Sequence, residues 1–182
     1  GREPFAEVWM FCDPGCCETA GQAAYANLPA AGVAVADAAR AQAEAEGRQL
    51  IAWGHSLGGP VCAQAATHMR ADALVLETTT PSTRAAVDTM VGWARPFVRV
   101  NIAPNLDAID VPAALKTYSG KVVVLEAGRD KTLPPALSRR LARELRTEGL
   151  RVEHLLFPQA DHGDVPQQAD FKPRMAAALD GL

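Results

Sequence analysis

The chain has 182 residues, about one domain's worth, with 48% hydrophobic and 21% charged residues, a globular composition that excludes a disordered chain. Its formal net charge of −3 and pI near 5.8 remove the electrostatic case for nucleic acid or acidic lipid as the main partner. No apolar run reaches the roughly 18 residues of a membrane span; the longest uncharged stretch, Thr19 to Ala36, is interrupted by Gln22, Asn27, Pro29 and Gly32.

Five short β-rich runs alternate with helical stretches. Ala6 to Cys12 is apolar and bulky and predicts a first strand. Gln22 to Glu46 is Ala-rich and reads as a helix closed by Gly47. Gln49 to Trp53 predicts a second strand and Gly59 to Arg70 a second helix; Ala73 to Glu77 is the third strand. Lys121 to Ala127, with three valines in a row, is the fourth. Pro134 to Glu148 is an amphipathic helix, with Leu137, Leu141 and Leu145 at spacings of four and arginines between them. Val152 to Phe157 is the fifth strand, and Met175 to Leu179 a final short helix. This order predicts an α/β fold: a three-layer α/β/α sandwich around a mostly parallel sheet of about five strands. All strand C-termini then share one edge, where ligands of such sheets bind.

Residues 82–115 interrupt the rhythm. Pro96, Pro104 and Pro112 cut this stretch into pieces, and it carries Trp93 and Phe97. Two readings stay open: a cap over a pocket, or helices covering the sheet. Under the first, Trp93 and Phe97 are candidate substrate contacts, with His55 beside the nucleophile described next.

Gly54-His55-Ser56-Leu57-Gly58 matches G-x-S-x-G between a predicted strand and a predicted helix. A serine on so tight a turn is held in strained backbone with its hydroxyl projecting. Bulky side chains two residues either side would collide with the strand and helix, so glycine is expected at both Gly54 and Gly58. The helix N-terminus beyond adds partial positive charge. Ser56 is therefore the candidate nucleophile.

Of four histidines, His162 alone is expected on a loop at the catalytic edge, in Gln159-Ala160-Asp161-His162-Gly163-Asp164 after the fifth strand. It is the candidate base. Asp130, in Gly128-Arg129-Asp130 after the fourth strand, is the candidate acid, with Glu77 its main competitor. The chain order Ser56, Asp130, His162 is the order of α/β hydrolases. Cys12, Cys16, Cys17 and Cys62 form no CxxC and predict no zinc site. Their number favours a reduced, cytoplasmic setting.

On these residues the chain resembles the α/β-hydrolase superfamily, in the flavour of its α/β-hydrolase-domain-containing and serine-aminopeptidase-like groups. The likeness rests on Asp13-Pro14-Gly15 with Glu18-Thr19-Ala20-Gly21, on Trp53 to Gly59, on Leu74 to Thr78, and on Val122 to Asp130 with Asp161 to Asp164. It implies esterase, lipase, thioesterase or peptidase chemistry on a small-molecule ester or acyl substrate, with no metal or cofactor. It assigns Ser56 as nucleophile, His162 as base and Asp130 as acid, and the Leu57 backbone N–H as an oxyanion donor. Cys16 and Cys17 depart from the family's usual loop there and are expected to border the pocket, where thiol modification would block substrate.

The resemblance also implies about three strands before Ala6 and a second oxyanion donor on a loop among them. The chain thus reads as an N-terminally truncated domain. Losing one donor typically costs about 2.7–4 kcal/mol of transition-state stabilisation. The alternatives are a catalytically impaired fragment serving as an interaction module, and an aminopeptidase or acyl-protein thioesterase with Asp107 or Asp110 near the substrate amine.

Overall fold

Four β-rich runs pair side by side in chain order, all parallel. The computed structural model describes residues 7–10, 28–94, 96–97 and 99–182. Its elements are α1 (Leu28–Glu46), β1 (Ile51–His55), α2 (Gly58–His68), β2 (Ala73–Glu77), α3 (Thr83–Val91), α4 (Pro104–Asp107), α5 (Val111–Ala114), β3 (Lys121–Ala127), α6 (Ala136–Thr147), β4 (Val152–Phe157) and α7 (Phe171–Leu179). Short 3-10 turns lie at Gly92–Ala94 and Val165–Gln167.

The runs form strands because they can be buried on both sides. β2 is buried at every residue and β3 at all but its first. Such unbroken apolar runs suit inner strands of a covered parallel sheet. β1 alternates between exposed and buried positions. Register is tight: Ile51 faces Ala73, Ala73 faces Lys121 and Val122 faces Val152.

Alternate residues point to opposite faces. On one face Ala52, Leu74, Leu76, Val122 and Val124 pack with Ala63 and Ala66 of α2 and with Leu141 and Leu145 of α6. On the other, Val75, Val123, Leu125 and Phe157 pack with Val165 and with Met175 and Ala178 of α7. This is a three-layer α/β arrangement. The leucine stripe of α6 faces inward as its spacing predicts, with Leu137, Leu141 and Leu145 fully buried.

Element boundaries move by a few residues. β1 runs to His55 because its ladder with β2 continues to the His55–Glu77 pair. α7 begins earlier than expected, at Phe171, whose ring packs 5.9 Å from both Trp53 and Phe157. In the 82–115 stretch, Asp110 caps α5 by accepting from the Ala113 N–H, and Val111 and Leu115 are fully buried in the first core. Met90, Val91, Trp93, Phe97 and Val100 are exposed.

Of the expected first strand, residues 7–10 are described and form none. Trp9 donates to Glu7 and Glu7 pairs with Arg48, so these contacts are made by side chains rather than by a ladder. The described sheet therefore has four strands where about five were expected. The rest of that run, residues 22–27 of the first predicted helix, the 13–21 loop, and Cys12, Cys16 and Cys17 lie outside the described residues. Among the described residues no helix is long and apolar enough to cross a membrane.

Candidate active site

The strand-to-helix turn after β1 is held by its own backbone. The Ser56 N–H extends the ladder and donates to the Glu77 carbonyl at 2.9 Å. Ser56 then adopts φ +52°, a left-handed conformation that residues with a Cβ rarely occupy. Such backbone costs about 1–3 kcal/mol and persists only where its surroundings enforce it. Here the Ser56 carbonyl accepts from Thr79 Oγ1 at 2.6 Å and from the Gly59 N–H at 3.1 Å.

Two glycines make the turn possible. A Cβ on Gly54 would lie 2.6 Å from the Gly58 carbonyl oxygen and 2.8 Å from Cys62 Cβ. The second tight position is not Gly58, as the motif predicts, because a Cβ there meets nothing within 4 Å. It is Gly59, where a Cβ would fall 2.7 Å from Thr79 Cβ. The bend turns the helix so that its second residue, not its first, faces the end of β2.

His162 reaches this turn from the loop after β4. Its Nε2 lies 2.9 Å from Ser56 Oγ and its Nδ1 lies 2.7 Å from Asp130 Oδ2. Asp130 is 6% exposed and divides its oxygens: Oδ1 accepts from the Thr132 and Leu133 N–H groups, both at 2.8 Å, and Oδ2 faces the imidazole. A carboxylate can only accept, so Nδ1 carries the proton and Nε2 is left to accept from the serine hydroxyl. The ring is set from its backbone as well. The His162 carbonyl accepts from His55 Nε2 at 2.8 Å and from Thr78 Oγ1 at 3.2 Å.

Glu77 ends β2 beneath this group. It is 4% exposed and its carboxylate accepts from Trp53 Nε1 at 2.8 Å. Burial pushes its pKa above the ordinary carboxylate value; the Trp53 hydrogen bond and the His55 and His162 charges oppose this.

The structure thus brings Ser56, Asp130 and His162 together at the C-terminal edge of the sheet. Leu57, next in chain, immediately precedes α2. His55 sits at the same place, but its ring nitrogen is spent on the His162 backbone. Trp93 and Phe97 are 81% and 86% exposed. Asp107 pairs with Arg84 at 2.7 Å and Asp110 caps α5, so both have structural partners. An open groove of about 530 Å³ lies away from Ser56, lined by Lys121, Arg146, Arg151 and residues 152–154. Among the described residues no cluster of three or more His, Cys, Asp and Glu is arranged to hold a metal ion. Sequence reasoning missed Thr78 and Thr79 as supports; hydroxyl residues directly after a strand at the catalytic edge are the available signal.

No family model matches the chain, and no curated protein matches it in sequence. Solved structures do. The butyrate-bound Est2 esterase of Thermogutta terrifontis matches with TM-score 0.59 and 19% identity, over 85% of this chain and 63% of that one. The carboxylesterase Cest-2923 of Lactobacillus plantarum matches with TM-score 0.57 and 18% identity, over 80% and 57%. The acylaminoacyl peptidase of Pyrococcus horikoshii matches with TM-score 0.52 and 17% identity, over 71% and 22%. The chain has the α/β-hydrolase fold. It spans less than two thirds of the length of each of these proteins. Within the α/β-hydrolase fold, strand pairing places the ends of β1, β3 and β4 on one edge, so residues 74 and 32 positions apart in the order Ser56, Asp130, His162 meet there.

Proposed function

We propose that the chain is a serine hydrolase that cleaves carboxylic esters through an acyl-enzyme. The observation that carries this reading is the continuous chain from Asp130 Oδ2 through both nitrogens of His162 to Ser56 Oγ, at 2.7 and 2.9 Å. These distances lie within the range over which a base removes a hydroxyl proton.

Ser56 Oγ attacks the substrate carbonyl carbon while its proton passes to His162 Nε2. The carbonyl oxygen becomes an oxyanion, and the Leu57 N–H, at the positive end of α2, holds it. Collapse of the tetrahedral species expels the alcohol, which takes the proton from His162. Water, deprotonated by the same nitrogen, then attacks the acyl-serine and releases the carboxylic acid and free Ser56. Asp130 keeps the proton on Nδ1 and offsets the positive charge of the imidazolium. Trp93 and Phe97 present apolar surface to the acyl group, so truncating both to Ala raises KM more than it lowers kcat.

The test is hydrolysis of p-nitrophenyl esters of graded acyl length, with Ser56→Ala as control. Turnover that the S56A variant abolishes supports the reading. Turnover that survives in S56A, or none at any chain length from folded protein, contradicts it.

A further inference from the structure

The end of β2 carries a strained residue that the proposed mechanism does not use. Thr78, the first residue after the strand, has φ +43°. Its N–H nonetheless stays bonded to the sheet, donating to the Leu125 carbonyl of β3 at 3.0 Å. A β-branched residue in the left-handed region is a genuine outlier, held only where its surroundings enforce it, and such outliers gather at functional sites. In an extended strand, successive side chains point to opposite faces. Here two successive hydroxyls serve the same edge. Thr79 Oγ1 donates to the Ser56 carbonyl at 2.6 Å, and Thr78 Oγ1 donates to the His162 carbonyl at 3.2 Å. Both threonines are buried. Neither bond is needed merely to satisfy its acceptor. The Ser56 carbonyl also accepts from the Gly59 N–H at 3.1 Å, and the His162 carbonyl also accepts from His55 Nε2 at 2.8 Å.

We propose that Thr78 and Thr79 are positioning residues. They form a two-hydroxyl clasp, made possible by the left-handed backbone of Thr78, that grips the main chains of nucleophile and base from one segment. The clasp thereby fixes the 2.9 Å contact between Ser56 Oγ and His162 Nε2, which joins residues 106 positions apart. Thr79 restrains the carbonyl of Ser56, itself left-handed at φ +52°, while Thr78 restrains the loop after β4. The Ser56 N–H is bonded to the same segment through the Glu77 carbonyl, at 2.9 Å. Three consecutive residues of one strand end thus set where the two reacting groups stand. The inference rests on the serine-hydrolase reading for its effect on rate, but not for its effect on the His162 ring.

Threonine-to-valine and threonine-to-serine changes separate the hydroxyl from the packing. Valine keeps the branched shape and loses the hydroxyl; serine keeps the hydroxyl and loses a buried methyl. Phosphonylation of Ser56 by a fluorophosphonate is expected to slow about 10-fold in Thr78→Val and up to about 10²-fold in Thr79→Val, the scale of a 1 Å displacement of a catalytic group. T78S and T79S are expected to recover most of the lost rate. Valine variants at the wild-type rate, or serine variants as slow as the valine ones, overturn the proposal, because a packing role alone gives serine no advantage. Should T79V fail to fold, T78V and T78S carry the comparison with the same two outcomes. If wild type is not phosphonylated, the hydrolase reading fails, and proton NMR of the His162 ring decides the clasp. Ring resonances that move in T78V and return in T78S support it; ring resonances unchanged in T78V overturn it.

Discussion

His55 Nε2 lies 2.8 Å from the main-chain carbonyl oxygen of His162. The residue before the candidate nucleophile therefore anchors the loop that carries the candidate base. Because a carbonyl only accepts, His55 donates through Nε2. Thr78 Oγ1 donates to the same oxygen at 3.2 Å.

His55→Phe removes one of these two donors while leaving a ring in place. Displacing a catalytic group by about 1 Å can cost 10²-fold. The expected outcome for H55F is a 10- to 100-fold loss in the rate of Ser56 phosphonylation, from the same principle, and a larger loss when it is combined with Thr78→Val. Near-wild-type rates in the double variant would remove the anchoring role.

Asp130→Asn preserves an oxygen for the Thr132 and Leu133 N–H groups but no longer demands a proton on Nδ1. A loss of about 10⁴ in kcat is expected, with thermal unfolding near that of wild type. If Glu77→Gln rather than D130N produced the 10⁴ loss, the acid would have been assigned to the wrong carboxylate.

Gly58 and Gly59 separate sharply. Gly59→Ala is expected to destabilise by about 1–3 kcal/mol, since its Cβ would meet Thr79. Gly58→Ala has open space and is expected to be neutral or stabilising by up to about 1 kcal/mol through the unfolded state. Thermal melts of the two variants measure this; at roughly 2–4 °C per kcal/mol the difference is readily resolved.

His154 Nε2, on β4, lies 2.8 Å from Oε2 of the buried Glu126. Burial pushes its pKa below the ordinary value of 6.5, against the pull of Glu126. A depressed folded-state pKa means the folded protein binds the proton less readily than the unfolded chain. Stability is then fully present above about pH 6.5 and is lost as pH falls through the folded-state value. His154→Gln is expected to lose fewer degrees of Tm than wild type between pH 7 and pH 5. Equal losses would remove His154 as a source of acid sensitivity.

How much of this was legible in the sequence depends on how local each cause is. Strands β2, β3 and β4 are visible to the residue, because runs such as Lys121–Ala127 are buried on both faces and need no polar alternation. The turn around Ser56 is visible because its glycines and flanking apolar runs are contiguous. Asp130 and His162 can be placed at the catalytic edge because each follows a strand that ends there. What stays hidden is tertiary. The clash that requires Gly59 comes from Thr79, 20 residues on, so the motif's own spacing points to the wrong glycine. The bonds from His55 and Thr78 to His162 cross 107 and 84 residues. Trp93 and Phe97 carry no pattern that tells a substrate contact from an exposed apolar side chain.

The most direct test is to treat the folded chain with a fluorophosphonate and locate the adduct by mass spectrometry. A single adduct on Ser56, formed at least 10³-fold faster than in His162→Ala, is the expected result, in keeping with the size of such base effects. Folded protein that takes up no phosphonate at Ser56, or labels it equally fast without His162, would contradict the proposed catalytic role of these two residues.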